Sequence, residues 1–463
     1  PIGIITAMAK TEGEHPLREP GLSRQVFRIA WPAALEALLI GVVDLVDMAM
    51  VSSLKLTAVS AVGVTSQPKR ILLMFTLALN VAATAWVSRR IGAGEKKEAN
   101  HCMHQFLWIS ILMALVLYTV GFLFAAPLMR LSGANNETLK DASDYFRILV
   151  VGQVPQAISL TINACLRAEG KTRVTLLTNT AANAVNLIFN YFLIQGNCGF
   201  PRLAVKGAAI ATSLGSFAAL AISLYSVRKG NGGILHLDLK QEPFRLDLPL
   251  LKKAWDIASS AFHEQFFQRL GVFVFARIAA SLGTVEFAIY QFVMNLANLQ
   301  GYTYDGFASA ATALTGQSLG MKEPERAQQA GKYAVWMGYG TAFVIAFGFA
   351  LFHRPILAIF AKGDSYVIQH GGMLLLFVAA GCIPCSGSSV YAGILRGAGD
   401  TKVVARITLW VVAILRPIAA WLFCYPMRLY QVGIWAAFTL AHTLRWICLY
   451  LHWRKGTWKQ IKL

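Results

Sequence analysis

Apolar runs long enough to cross a bilayer recur along the chain, separated by short loops rich in Lys and Arg. A hydrocarbon core about 30 Å thick takes roughly 20 apolar residues per helical crossing. Twelve segments meet that measure, near residues 27–51, 61–88, 104–129, 143–166, 172–195, 204–227, 250–281, 286–318, 328–352, 368–395, 402–424 and 430–452. The pattern predicts an all-α polytopic membrane protein with 12 transmembrane helices. Composition agrees: 56% of the 463 residues are hydrophobic, 14% are charged, and the mean hydropathy is +0.53.

The formal charge of +19 raises the question of nucleic acid, and the loops answer it. Of 42 Lys and Arg residues, twenty-seven lie in or beside loops on the side that holds both termini, eight on the other side and seven within helices. That is the positive-inside bias of a plasma-membrane protein with cytoplasmic termini. No soluble stretch is long enough for a basic nucleic-acid domain, so the expected partners are the lipid bilayer and a small molecule, with the chain acting as a monomer. The first twenty residues lack the apolar core of a signal peptide.

An internal repeat organises the twelve segments. AATAWVSRRIGAGEKKEA (82–99) returns as AATALTGQSLGMKEPERA (310–327) at an offset of 228, and LRAEGKT (166–172) returns as LRGAGDT (395–401) at 229. A duplicated six-helix unit follows: a first lobe over 22–228, a cytoplasmic linker over 229–249 and a second lobe over 250–453. Since six is even, both halves enter and leave on one face. Such two-lobed transporters put a substrate path between the lobes.

Acids inside membrane helices are expensive, about 2.5–3.5 kcal/mol each on insertion scales, and mark function more often than packing. The first helix carries Glu36, Asp44 and Asp47, which fall on one side of the wheel. Asp44 and Asp47 are one turn apart and electrostatically coupled, the chemistry of a proton carrier. The fifth helix carries Asn179, Asn183, Asn186 and Asn190 in one narrow stripe. Such amides either bond neighbouring helices or line a wet path, and asymmetry between the halves favours the path. At the repeat offsets Glu36 maps onto Glu264, but Asp47 maps onto Phe275, Asn186 onto Leu415 and Asn190 onto Ala419. Cation coupling is therefore expected at Asp47, Asp44, Asn183, Asn186 and Asn190. Glu36, Glu264, Asn179, Asp305 and Gln67 are the candidates for substrate binding. Glu264 has no base one turn away on its own helix and reads as an uncompensated carboxylate, whereas Arg269, Arg277 and Arg445 read as partners in ion pairs. Gln67 precedes Pro68, Lys69 and Arg70 on a helix that proline can bend toward a cavity.

Motifs for chemistry are weak. HEQFF (263–267) lacks the second His of a zinc HExxH, and no phosphate loop, nucleophile elbow or dinucleotide fingerprint occurs. His101 and His104 are expected to be solvated beside a basic loop, and Cys382 and Cys385 to pack at the Pro384 bend. No enzyme, metal site or cofactor is expected; energy must enter as a transported proton or Na⁺.

Four stretches together resemble the multidrug and toxic compound extrusion (MATE) family: NLIFNYFLIQGNCGFPRLAVKGAAIAT (186–212), VDMAMV (46–51), LRAEGKT and the segment AATALTGQSLG (310–320). The resemblance covers Leu22 to Trp453. It implies a V-shaped pair of six-helix bundles exporting organic cations or amphiphiles against inward protons or sodium, with Asp47 and Glu264 at the family's acidic positions. Asn190 stands where some proton-coupled members have an aspartate, and 368–395 lacks the acid of the sodium-linked branch. A flippase for a lipid-linked, anionic precursor is the alternative within the same superfamily; Lys69, Arg70 and Arg416 are the residues that suit it.

Overall fold

The computed structural model describes residues 21–52, 56–228, 233–238, 244–361 and 365–461. Among these residues the chain is all helix and turn, with no strand. The helices are α1 (Leu22–Ser52), α2 (Leu56–Gly92), α3 (Lys96–Leu123), α4 (Ala125–Leu131), α5 (Leu139–Glu169), α6 (Thr172–Gln195), α7 (Ala204–Arg228), α8 (Leu248–Ala280), α9 (Thr284–Gly320), α10 (Pro324–Ala361), α11 (Ser365–Ala398), α12 (Thr401–Thr408), α13 (Arg416–Cys424) and α14 (Tyr430–Lys455). Nine helical segments among the described residues are long and apolar enough to cross a membrane. The remaining long ones, α6, α8 and α9, carry the four asparagines of the stripe, Glu264 and Asp305. Trp336, Val344 and Trp410 are 64–70% exposed. Such rings and branched chains sit comfortably against lipid, where water would penalise them.

Two expected helices differ in detail. The third segment breaks at Phe124 into α3 and the short α4. The eleventh holds a π-helical stretch, Leu409–Leu415, between α12 and α13. Pro417 follows it and has no N–H, so the helix around it lacks one backbone donor.

The duplication is visible in the backbone. Gly170 (φ +92°) ends α5, and Gly399 (φ +89°), at offset 229, ends α11; each turn is followed by a helix starting at a threonine, Thr172 or Thr401. A left-handed turn suits glycine because no Cβ clashes with the carbonyl.

The chain forms two compact units, one containing Leu39–Ala258 and the other Gly21–Leu38 with Ser259–Leu463. The divisions fall inside α1 and α8 and not in the loops. Gly306 of α9 shows why the start of α1 belongs to the second unit: a methyl group there would collide with the backbone of Ala33 and Ala34. Val26, Ile29, Ala30 and Ala34 share one buried core with Phe307, Leu314, Ile394 and Leu449. The first unit has its own core around Tyr118, Met129, Phe146 and Val150.

The part of the 229–249 connector that is described binds the first unit through polar side chains on α3; residues 229–232 and 239–243 lie outside the described residues. Asn100 Oδ1 accepts from the His236 N–H at 3.0 Å, Gln105 Oε1 accepts from the Asp247 N–H at 2.9 Å, and Gln105 Nε2 donates to Arg245 O at 2.8 Å. His104, expected to be solvated, is fully buried: Nδ1 donates to Asn100 O at 2.9 Å and Nε2 accepts from the Asp238 N–H at 3.3 Å. The correction has a plain cause. An extended connector brings unpaired backbone groups, and His104 satisfies one of them.

Candidate functional site

In the first unit α1 and α6 bring one carboxylate and two amides together. Asn190 Nδ2 donates to Asp47 Oδ1 at 2.7 Å. Asn186 lies one turn away on the same face of α6. Turned to satisfy both its ends, its amide nitrogen donates to Asp47 Oδ1 at 2.9 Å and Oδ2 at 3.2 Å. Its oxygen then meets the hydroxyl and N–H of Thr212, each at 3.2 Å. Asn186 is 6% exposed and Asn190 2%. Asn190 Oδ1, beside the carboxylate, is buried with no hydrogen-bond partner. A carboxylate held by neutral donors, with a further oxygen left open, can take up a small cation or a proton without rebuilding its surroundings. Tyr145 of α5 lies within electrostatic reach of Asp47.

The other candidates scatter. Asn183 is half-buried with Nδ2 unbonded, and Asn179 is half-buried further along α6. Gln67 is exposed on α2. Asp44 is in α1, but its side chain lies outside the described residues. Glu36, buried, belongs to the second unit, so the three acids of α1 are divided between the two units.

In the second unit Glu264 is 1% exposed and fully engaged. Arg396 donates through Nε to Oε2 at 3.0 Å and through Nη2 to Oε1 at 2.5 Å, and Arg445 Nη2 donates to Oε1 at 3.1 Å. This corrects the reading of an uncompensated carboxylate: the bases arrive from α11 and α14, not from its own helix. Ion pairing of Arg445 follows as expected. Asp305 has an exposed side chain, is bonded to Ser389 and lies in electrostatic reach of Arg396 and Arg445. Cys382 and Cys385 pack with Tyr304 and Ala342, and Cys382 Sγ donates to Gln300 Oε1 at 2.6 Å. A surface groove of 440 Å³ at the ends of α8 and α13, between Arg277, Trp421 and Tyr425, contains no carboxylate.

The structure also corrects the mapping between the halves. Leu193 O accepts from the Leu203 N–H at 2.9 Å and backs Gly207; Phe423 O accepts from the Leu429 N–H at 3.0 Å, and the Phe423 carbonyl carbon and Cβ back Gly433. Ala204 and Tyr430, next in each chain, both take positive φ. Leu193 therefore pairs with Phe423 at an offset of 230, one more than at the start of α6 and α12. The π-helical stretch supplies the extra residue, since it fits more residues to each turn. Beyond it Asn186 corresponds to Arg416 and Asn190 to Ala420, and not to Leu415 and Ala419.

Comparison with known proteins accords with this geometry. The MatE family profile matches residues 32–192 and again 261–422, once in each half. The chain belongs to the MatE family. "Probable multidrug resistance protein NorM" of Thermotoga maritima is 24% identical over 454 residues, spanning 95% of this chain and 94% of that one. "Uncharacterized transporter YisQ" of Bacillus subtilis is 24% identical over 441 residues, 94% and 95% of the two chains. Among solved structures, MATE in complex with MaL6 superposes with a TM-score of 0.90 at 20% identity, over 96% of this chain and 98% of that one. A MOP superfamily transporter from Pyrococcus furiosus, described by the reverse polarity of its binding pocket, gives 0.89 at 20% identity, over 97% and 99%. The fold and family are those of a multi-pass efflux transporter.

Residue patterns missed Thr212, Tyr145 and Arg396. Arg396 had a usable signal, since arginine occupies the same place in both copies of the LR-x-x-G turn, at Arg167 and Arg396.

Proposed function

We propose that this MatE transporter is a cation-coupled antiporter, exporting organic cations or amphiphiles by alternating access while protons or Na⁺ enter through the Asp47 site. The observation that carries the reading is the Asp47 carboxylate held at 2.7 Å by Asn190, whose own oxygen is buried and unbonded. A proton or Na⁺ on that carboxylate and a cationic cargo drawn to the same charge exclude each other. Competition of that kind couples the two fluxes, and differential affinity in two conformations gives direction. Under this reading Asp47, Asn186 and Asn190 bind the coupling ion, Asp44 tunes it, and Glu36 and Asp305 meet cargo. Glu264 acts by holding Arg396 and Arg445 in place. Both termini are assigned to the cytoplasm on loop charge.

The test is ethidium transport in proteoliposomes with proton and sodium gradients imposed separately. Export driven by either gradient supports antiport and names the ion. Export indifferent to both shifts the assignment to the flippase of a lipid-linked precursor, which the arginines of the second unit favour.

A further inference from the structure

Among the described residues no ion pair forms with one buried arginine of the second unit. Arg416 is 5% exposed, and its Nε and Nη2 have no hydrogen-bond partner. Its guanidinium lies 4.7 Å over the ring of Phe275, the residue that corresponds to Asp47. The π-helical residue inserted before it brings it to the place of Asn186. Around it Ala420 replaces Asn190, and Phe438, at the offset that joins Gly207 to Gly433, replaces Thr212. Asp47, Asn186, Asn190 and Thr212 in one unit thus become Phe275, Arg416, Ala420 and Phe438 in the other. The frame is kept and its polarity is reversed.

Two further nitrogens near Arg416 also lack hydrogen-bond partners. His442 and Arg445 are within electrostatic reach of it, and His442 Nδ1 and Arg445 Nε are buried and unbonded. Two acids of this unit have partners other than Arg416. Glu264 is held by Arg396 and Arg445, and Asp305 bonds Ser389. A buried cation is ordinarily paired, because leaving it without a partner is costly. Phe275, by cation–π attraction, offsets part of that and offers no acceptor. A guanidinium fork with two free N–H groups matches the oxygens of a carboxylate, sulfonate or phosphate.

We propose that Arg416, with His442 beside it, is an anion subsite of the second unit, taking the acidic group of an organic anion or a free inorganic anion. It adds to the antiport reading the expectation that cargo carries an acidic group as well as, or in place of, a cationic one, and to that extent rests on it. Binding at equilibrium needs no gradient, so the two fail separately.

The test uses full-length protein purified in detergent in a buffer of weakly bound anions. It is titrated with benzenesulfonate, with inorganic phosphate and with benzyltrimethylammonium, and followed by thermal unfolding. The expected result is a rise in unfolding midpoint with one or both anions. Arg416→Gln should weaken that anion binding at least about tenfold, while its response to benzyltrimethylammonium stays as in the wild type. Without ligand, Arg416→Gln should unfold at the same or a higher temperature, since a structural arginine would instead lower it. Sulfonate without phosphate points to an organic anion as ligand, and phosphate with sulfonate to a general anion site. Arg416→Lys keeps the charge but not the fork and should bind at intermediate strength, and it decides the matter if Arg416→Gln does not fold. An absent anion response in the wild type, or an equal one in the Arg416 variants, overturns the subsite. Anion binding that persists in Asp47→Asn while gradient-driven export fails in the wild type leaves the subsite standing and removes the coupling.

Discussion

One pair of crossing helices occurs twice in this molecule, and the two copies hold opposite chemistry. Where α1 meets α6, Asp47 is gripped by Asn186 and Asn190. Where α8 meets α13, the corresponding positions are Phe275, Arg416 and Ala420, joined by a guanidinium lying over a ring. Asn186 and Asn190 are as buried as Arg416 and Ala420, so burial does not explain the difference between them. What changed is a handful of side chains and one inserted residue in the π-helical stretch. A duplicated fold therefore constrains helix placement far more than it constrains charge, and a function read from one copy does not carry to the other.

The largest expected effect removes the acid from the first copy. Asp47→Asn keeps shape and amide bonding but fixes the charge at zero. It should abolish ethidium export driven by a proton or sodium gradient, with insertion and unfolding temperature held or improved, because a charge costly in lipid is gone. Wild-type export in that variant would make the first copy structural and end the comparison.

Next comes Glu264→Gln in the second copy. Glu264 is gripped by both Arg396 and Arg445. Removing one partner of a buried ion pair costs about 3–5 kcal/mol. The variant should unfold at a lower temperature and yield less folded protein, a loss that Asp47→Asn does not show. If Glu264→Gln instead leaves stability intact and alters only the pH profile of export, the second copy has an acid at work and the contrast of polarity weakens.

How far the sequence revealed this depends on what each feature rests on. Helix count and the duplication were legible, because span length, loop charge and two repeated turns are local properties. The grouping of Asp47 with Asn186 and Asn190 was half legible: the wheel put the amides in a stripe, but only packing shows that two of them reach the carboxylate. The partners of Glu264 were hidden, since Arg396 and Arg445 lie 132 and 181 residues away on other helices. The counterpart of Asn186 was misplaced by one residue, because a constant offset cannot register a π-helical insertion. His104 looked solvated because its partner is a backbone N–H of a connector with no sequence signature.

Asn190→Ala has a moderate expected effect. It removes a hydrogen bond to a charged group, about 1.5–3 kcal/mol by typical mutational measure, so export should fall by about one to two orders of magnitude. Ala420→Gly, its counterpart by structure, should change export little. Equal losses in both, tracking protein abundance, would show that the amides bond helices together and bind nothing.

The smallest expected effect concerns Asn183, and it asks how far the first copy extends. Asn183 belongs to the amide stripe by the helical wheel, yet its Nδ2 is buried without a partner, while Asn186 and Asn190 are spent on Asp47. If the site is a two-amide cradle, Asn183→Ala leaves ion and cargo binding alone and removes an unsatisfied donor. Export should then stay within about twofold of the wild type, and the unfolding temperature should rise slightly, because a buried unbonded amide is unfavourable by about 1–3 kcal/mol. If the stripe is instead a wet path along which the ion reaches Asp47, the amide is bonded to water and its loss slows entry. Export would then fall as in Asn190→Ala, with no gain in stability. Measuring rate and unfolding temperature on the same preparation separates the cases, since only the cradle predicts an unchanged rate together with a firmer fold.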